Sequence, residues 1–215
     1  MSTTETGTLS AESVNVNEML GERGKRYMTP DFQRPYEWAD SQLNDFWRDI
    51  HRAATNNYQH YIGNIIIVEQ NQSYKIIDGQ QRITTISILL CALREYYRSR
   101  GDDNFIQQVD GLLSANSVDD AQKIRRLVLL NEENDDRDYE AIYKNNPENA
   151  SGKVRSAYDF FTEKISQEDH ESVEELRKTV LTGLDITKTE ASTLSYAYQV
   201  FQTENDRGLD LDRIH

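Results

Sequence analysis

Apolar side chains recur three or four positions apart in two parts of the first hundred residues. The first series consists of Leu43, Phe46, Trp47 and Ile50. Its spacing predicts an amphipathic helix that ends near Ala54 and is capped at its N-terminus by Asp40 or Ser41. A second series, from Ile83 to Tyr97, predicts a helix that ends near Arg100.

Two short segments between these helices have the β-branched, apolar composition of buried strands. They cover residues 61–68 and 74–77, and the polar residues 71–73 between them predict the turn of a hairpin. Asp78 follows the second strand directly, so the next helix begins on a strand-to-helix elbow.

The remaining sequence is mostly helical in pattern. It predicts a short strand at 124–130 and helices near 136–143, 153–165, 173–184 and 193–204, with the last helix broken by Asn205-Asp206-Arg207-Gly208. Residues 1–15 are rich in Ser, Thr and Glu, which predicts a disordered tail. We therefore expect an α+β fold, with a small mixed sheet and helices at 16–105 and a mainly helical region at 106–215.

Composition excludes several classes of protein. The formal net charge of −13 disfavours a module that binds DNA by charge alone. A single cysteine, Cys91, permits neither an intramolecular disulfide nor a cysteine-based zinc site. The apolar runs are far shorter than the roughly 20 residues that cross a bilayer, so we expect a cytoplasmic protein without a membrane segment.

The elbow Asp78-Gly79-Gln80-Gln81-Arg82 is the first candidate for chemistry. A helix that starts here offers free backbone N–H groups and the positive end of its dipole, and Gly79 allows an anion to approach closely. Arg82 adds a charge-assisted bond to the same phosphate or carboxylate. Asp78 suits a helix cap or a ligand of metal-bound water. An ordinary Asp-capped turn explains the same residues.

Two further segments carry cations beside aromatic or glycine residues. The loop Phe32-Gln33-Arg34-Pro35-Tyr36, with Trp38 close by, offers a rigid cation and rings for stacking on a base. Alternatively, its rings belong to the core and Arg34 forms a salt bridge. At Asn205-Asp206-Arg207-Gly208, Arg207 is another cation, and a simple helix C-cap is the alternative.

Familiar catalytic motifs are missing from the sequence. It contains no Gly-x-x-x-x-Gly-Lys-Ser/Thr loop for phosphates. The four histidines lack metal-ligand spacing, and no His-Asn-His nuclease signature occurs. Any centre that cuts DNA is therefore expected outside this chain.

Four motifs, taken in order, resemble the N-terminal domain of GmrSD-type, modification-dependent restriction proteins. They are Pro-Asp-Phe-Gln-Arg-Pro-Tyr-x-Trp, Tyr-Ile-Gly-Asn-Ile, Ile-Ile-Asp-Gly-Gln-Gln-Arg-Ile-Thr-Thr, and Phe201-x-x-x-Asn205-x-Arg207-Gly208-x-x-Leu211. The resemblance spans about Tyr27 to Leu211. It implies a fold similar to the ParB and sulfiredoxin superfamily, in which the Gly-x-x-Arg elbow, here Gly79 to Arg82, binds phosphate or nucleotide.

The resemblance also implies a function. Relatives couple binding or hydrolysis of a nucleoside triphosphate to restriction of phage DNA that carries modified bases or a phosphorothioate backbone. The implied pocket comprises Gln33, Arg34, Asp78, Gly79, Gln80, Gln81, Arg82, Asn205 and Arg207. It lies mainly in the subdomain 16–105. The nuclease domain that usually follows is absent here, so we expect it either as a further domain beyond a truncated end or as a separate subunit.

Two hypotheses follow for the pocket. In the first it hydrolyses GTP or another nucleoside triphosphate with Mg²⁺: Arg82 holds phosphates, Arg34 or Arg207 offsets charge, and Asp78 or Gln81 orients water. Thr84 or Thr85 adds a hydroxyl to the anion site. In the second it is a sensor without catalysis that binds a nucleotide or modified DNA and signals to a nuclease partner. A DNA reader would need a basic patch formed by Arg23, Lys25, Arg26 and Arg34.

Overall fold

The helices of the chain pack around a mixed sheet of six strands. The computed structural model describes residues 7–116, 123–130 and 134–211, with side chains as far as Thr203. The strands are β1 (Leu9–Asn15), β2 (Arg26–Thr29), β3 (His60–Gln70), β4 (Ser73–Asp78), β5 (Ser114–Asn116), β6 (Lys123–Arg125), β7 (Leu127–Leu129) and β8 (Leu184–Ala191). The helices are α1 (Val16–Gly21), α2 (Asp40–Asn56), α3 (Gln80–Arg98), α4 (Asp103–Leu113), α5 (Asp135–Tyr143), α6 (Gly152–Ser166), α7 (His170–Lys178) and α8 (Leu194–Leu211). A 3₁₀ turn covers Pro147–Asn149, and a π-helical turn covers Thr179–Gly183.

Within the described residues the main sheet has six strands in the order β1-β8-β3-β4-β2-β7. β3 pairs with β4 antiparallel and with β8 parallel, whereas β2 lies parallel to both β4 and β7. Edge strand β1 runs antiparallel to β8. This mixed sheet with its helices confirms the predicted α+β class.

Helix α3 lies at the centre of the core. It is buried along almost its whole length, with α4, α5 and α6 packed against it. The main core occupies this face of the sheet. On the opposite face α8 covers Ile66, Val68 and Ile77 through Ala197 and its neighbours. The sheet therefore has helices on both faces, and α8 lies against β3, β4 and β8.

The periodic segments follow their predictions closely. The hairpin β3–β4 and helices α2, α3, α5 and α6 lie within a few residues of the predicted bounds. The predicted cap of α2 was wrong. The helix begins at Asp40 with Ala39 at the N-cap, and the Ala39 N–H donates to Gln42 Oε1 at 3.1 Å.

The predicted tail was wrong over residues 9–15. These residues form β1, which pairs with β8 from Leu9 opposite Ala191 to Asn15 opposite Asp185. No element was predicted for residues 185–192, where the structure has β8. The helix predicted at 173–184 was too long, because α7 ends at Lys178 and the π-helical turn follows. The main sheet thus includes β7 and β8 from the half of the chain predicted to be mainly helical.

Two other segments also differ from their predictions. The strand predicted at 124–130 is split into β6 and β7, which belong to different sheets. Arg126 lies between them with its guanidinium buried among backbone carbonyls, including that of Leu112 at 2.8 Å from Nε. Residues 205–208 do not break the last helix, since α8 continues to Leu211.

Candidate functional site

The elbow between β4 and α3 requires glycine at position 79. Gly79 has φ of +88°, a left-handed conformation that favours glycine. A Cβ at this position would lie 2.7 Å from Ile65 Cγ1 and 3.1 Å from the Asn64 carbonyl oxygen. The start of α3 therefore approaches β3 more closely than any side chain permits. Gly79 also leaves the first-turn N–H groups without a side-chain cap.

Arg82, in the first turn of α3, lies over a bulge in β3. Its Nη1 donates to the Asn64 carbonyl oxygen at 2.6 Å and lies 4.0 Å from Asp78 Oδ2. Gly63, at the bulge, has φ of +111°, and a Cβ there would come within 3.0 Å of Arg82 Cζ. About a third of the Arg82 side chain stays exposed. The guanidinium is thus held in place with part of its surface open to a ligand.

Gln81 holds the loop that follows β2. Its Nε2 donates to the Pro35 carbonyl oxygen at 2.8 Å, and its Oε1 accepts from the Glu37 backbone N–H at 2.8 Å. The side chain is buried. Its amide therefore holds the loop on both sides of Tyr36. Gln81 could orient a water, the role predicted for it, only if these hydrogen bonds broke.

Gln80 and Gln33 attach the same loop to the elbow. Gln80 Nε2 donates to the Arg34 carbonyl oxygen at 3.1 Å, and Gln33 Nε2 donates to the Ile77 carbonyl oxygen at 3.0 Å. The Arg34 side chain is 68% exposed and pairs with Glu37 at 3.1 Å. The loop backbone is therefore fixed, while most of the Arg34 side chain stays exposed.

These elements enclose a cavity of about 590 Å³. Its lining comprises Phe32, Gln33, Arg34, Trp38, Ile77, Asp78, Gly79, Gln80, Gln81, Arg82, Tyr198 and Phe201. The lining contains two cations and the N-terminus of α3, and it also contains four aromatic rings, which we call the aromatic wall. A phosphate suits the cations and the helix N-terminus, and a nucleobase suits the rings.

The aromatic wall joins the loop to α8. Phe32 is 62% exposed, and its ring centroid lies 5.8 Å from that of Tyr198. Trp38 packs edge-on against Phe46 at 5.7 Å. Tyr36, predicted as another stacking candidate, is buried instead, with its hydroxyl 2.8 Å from Thr85 Oγ1. The exposed ring of Phe32 is thus the most accessible stacking surface in this wall.

A family model described as the GmrSD restriction endonuclease N-terminal domain matches residues 16–215. The chain belongs to this family. It is accordingly a component of a restriction system. A search of curated proteins found no match.

The cavity of this GmrSD N-terminal domain brings together seven of the predicted site residues. They are Gln33, Arg34, Asp78, Gly79, Gln80, Gln81 and Arg82. Thr84 and Thr85 are buried beneath the elbow and do not belong to the described lining of the cavity. The side chains of Asn205 and Arg207 lie outside the described residues; their backbone belongs to α8.

Sequence reasoning assigned no site role to Tyr198 or Phe201. Their spacing of three residues places both rings on one face of α8. This spacing is the sequence pattern from which a shared role could have been predicted. Burial raises the pKa of the Tyr198 hydroxyl, which therefore stays protonated near neutral pH. The hydroxyl is able to donate a hydrogen bond into the cavity as well as extend the stacking surface.

The described lining of the cavity offers one acidic side chain to a cation. Among the described residues, no group of three or more His, Cys, Asp or Glu side chains is placed to hold a metal. Asp78 is the one carboxylate in the described lining of the cavity. A single carboxylate suits Mg²⁺ that arrives on phosphates and keeps much of its water.

The basic patch considered for DNA does not converge on the cavity. Arg26 at the start of β2 pairs with Ser73, whereas the cavity lies at the other end of β4, at Asp78. Lys25 is ion-paired with Glu69. Arg34 is therefore separated from the cations that precede β2.

In the described parts of the chain, no helix has the length and apolar character needed to span a membrane.

Proposed function

We propose that the cavity binds a nucleoside triphosphate and hydrolyses it, and that this reaction regulates restriction by a nuclease partner. The observation that carries the proposal is the union of a cationic helix N-terminus and an aromatic wall in one cavity of about 590 Å³. In this arrangement the triphosphate lies against α3 and Arg82, and the base lies against Phe32.

The residues of the cavity have different roles in the proposed phosphoryl transfer. The N–H groups of the first turn and Arg82 bind phosphate oxygens, and Arg34 offsets the charge that develops on them. Mg²⁺ bound to the phosphates supplies further charge neutralisation. Asp78 orients a water and accepts its proton as the water oxygen attacks the γ-phosphorus. The bond between the γ-phosphorus and the bridging oxygen breaks, its electron pair stays on the nucleoside diphosphate as the leaving group, and inorganic phosphate is the other product.

Gln81 has a different role in this proposal from the one its sequence position suggests. Both polar atoms of its amide already bind the loop at Pro35 and Glu37. Gln81 therefore acts as a positioning residue, and Asp78 is the group that faces the water.

The engagement of Gln81 with the loop also supports a second candidate, a sensor without catalysis. With Gln81 engaged, Asp78 is the one carboxylate in the described lining that can orient water. If Asp78 instead serves only as a partner of Arg82, the cavity binds a nucleotide or a modified DNA backbone and signals its occupancy to the nuclease.

Phosphate release distinguishes the two candidates. We would measure it with GTP, ATP, UTP and CTP in the presence of Mg²⁺, and follow the melting temperature of the protein with each nucleotide. Arg82→Ala is expected to lower turnover at least 100-fold, because it removes a charge-assisted bond to the phosphates. Arg98→Ala is the matched control, since Arg98 lies on the same helix, is 37% exposed and pairs with Glu95.

Each result has a defined meaning. Turnover that is lost in Arg82→Ala but kept in Arg98→Ala supports hydrolysis at the elbow. Wild-type turnover in Arg82→Ala would refute it. A nucleotide-dependent rise in melting temperature without phosphate release supports the sensor.

A further inference from the structure

The loop 33–37 is held from a second side, by a helix outside the elbow. The Tyr36 backbone N–H donates to Asp135 Oδ2 at 2.6 Å. Asp135 is the first residue of α5, and both Asp135 and Tyr36 are buried. Asp135 therefore reaches inward to the loop that carries Arg34.

This bond completes a continuous anchor of the loop backbone. Gln81 binds the carbonyl before Tyr36 and the N–H after it, and Asp135 binds the N–H between them. The Tyr36 hydroxyl is fixed separately, 2.8 Å from Thr85 Oγ1. A buried N–H that loses its acceptor is costly, so the loop is expected to shift when the Asp135 carboxylate is removed.

The position of Arg34 depends on this anchor. Arg34 lies two residues before Tyr36, and its exposed guanidinium pairs only with Glu37 of the same loop among the ion pairs of the described residues. The placement of the guanidinium therefore depends on the backbone of this loop. A small displacement of a charged group that acts in the transition state lowers the rate substantially.

We propose that Asp135 is a positioning residue of the site, which directs Arg34 towards the phosphates by holding the Tyr36 N–H. The inference rests on the proposed function, because it assigns Arg34 its part in hydrolysis. It makes α5 a structural partner of the nucleotide cavity, although Asp135 itself is not in the described lining.

The test compares three variants of the full chain. Asp135→Ala removes the acceptor and is expected to lower kcat about tenfold with little change in KM. Asp135→Asn retains an acceptor oxygen and is expected to stay within about threefold of wild type. Asp138→Ala is the matched control, because Asp138 is also buried on α5 but accepts from Ser151 Oγ at 2.9 Å.

A double-mutant cycle tests whether Asp135 acts through Arg34. Adding Asp135→Ala to Arg34→Ala is expected to lower kcat by less than about twofold more, since the group being positioned is already gone. A full tenfold loss in that background would overturn the proposed route. So would an equal loss of kcat in Asp138→Ala, which would indicate general destabilisation.

Hydrogen exchange at Tyr36 and Glu37, measured without nucleotide, separates this inference from the proposed function. Exchange at least tenfold faster in Asp135→Ala, together with the lower kcat, supports the inference. Unchanged exchange overturns the inference, whether or not the wild type hydrolyses nucleotides. If the wild type shows no turnover, the proposed hydrolysis fails, and faster exchange still supports Asp135 as the anchor of the loop. Faster exchange with unchanged kcat in an active wild type overturns the assignment to Arg34.

Discussion

At the scale of single residues, two glycines allow the site to form. Gly63 lets Arg82 lie against the β3 bulge, and Gly79 lets α3 begin against Ile65. Both have positive φ, and in both cases a Cβ would meet atoms within about 3 Å. The glycines of the two family motifs thus act by leaving space rather than by binding.

Gly79→Ala is expected to lower the free energy of unfolding by about 2–5 kcal/mol, the sum of left-handed strain and overpacking against Ile65. Gly101→Ala is the control, because Gly101 has φ of +73° but no atom within 4 Å of a Cβ. It should cost about 1–2 kcal/mol, from strain alone. Denaturant unfolding measures both values. Equal losses would show that the close approach to β3 contributes nothing.

The sequence revealed the residues of the elbow but not all of their roles. A cation and a glycine at a helix start indicate an anion site from local spacing alone. The clamp made by Gln81 depends on Pro35 and Glu37, more than 40 positions away, and no local pattern reports such a pairing. The bond from Asp135 to Tyr36 spans 99 positions and was hidden for the same reason.

At the scale of elements, a helix or strand could be predicted from the sequence where its apolar residues form a regular pattern. Helices α2 and α3 and the hairpin β3–β4 were predicted because each has a regular apolar pattern. Edge strand β1 has mostly exposed side chains and lacks that pattern. In β8 the alternation of Leu184 and Ile186 is interrupted by Lys188, which is buried through ion pairs with Glu12 and Glu22. Pairing with neighbours, rather than composition, makes these segments strands.

The aromatic wall is formed by α8 together with the loop after β2, and the proposed function places the base against it. Phe32→Ala is expected to weaken nucleotide binding roughly 5- to 100-fold, the usual effect of removing a stacking ring. The loss should be similar for all four nucleotides and absent for inorganic triphosphate, because stacking is not base-specific. Isothermal titration calorimetry measures the dissociation constants.

Phe32→Tyr should restore affinity, since it keeps the ring. Tyr61→Ala is a control of similar exposure, 58%, that lies on β3 outside the described lining of the cavity. Equal weakening of inorganic triphosphate by Phe32→Ala would contradict a stacking role and place Phe32 beside the phosphates.

At the scale of the whole molecule, the positions of the charged side chains matter more than the net charge. The net charge of −13 disfavours polyanions overall, yet Arg34 and Arg82 meet the positive end of α3 in one cavity. Elsewhere on the sheet, ion pairs hold strands together. Lys188 of β8 pairs with Glu12 of β1 and with Glu22, which also accepts from the Tyr74 hydroxyl at 2.8 Å. One set of charges thus lines the cavity, and the other stabilises the fold.

This second set predicts a loss of stability in acid. Desolvation raises the pKa of Glu22, but hydrogen bonds from Tyr74 and Lys188 outweigh it and place the pKa below the ordinary 4.5. A lowered carboxylate pKa stabilises the fold above pH 4.5, and that contribution disappears as the pH falls through the folded pKa. Glu22→Gln should lower the free energy of unfolding at pH 7 by on the order of 1 kcal/mol and flatten its decline between about pH 5 and pH 3. Denaturant unfolding across this range measures the slope, with the exposed Glu148→Gln as control. Parallel slopes in wild type and Glu22→Gln would mean that the acid sensitivity originates elsewhere in the molecule.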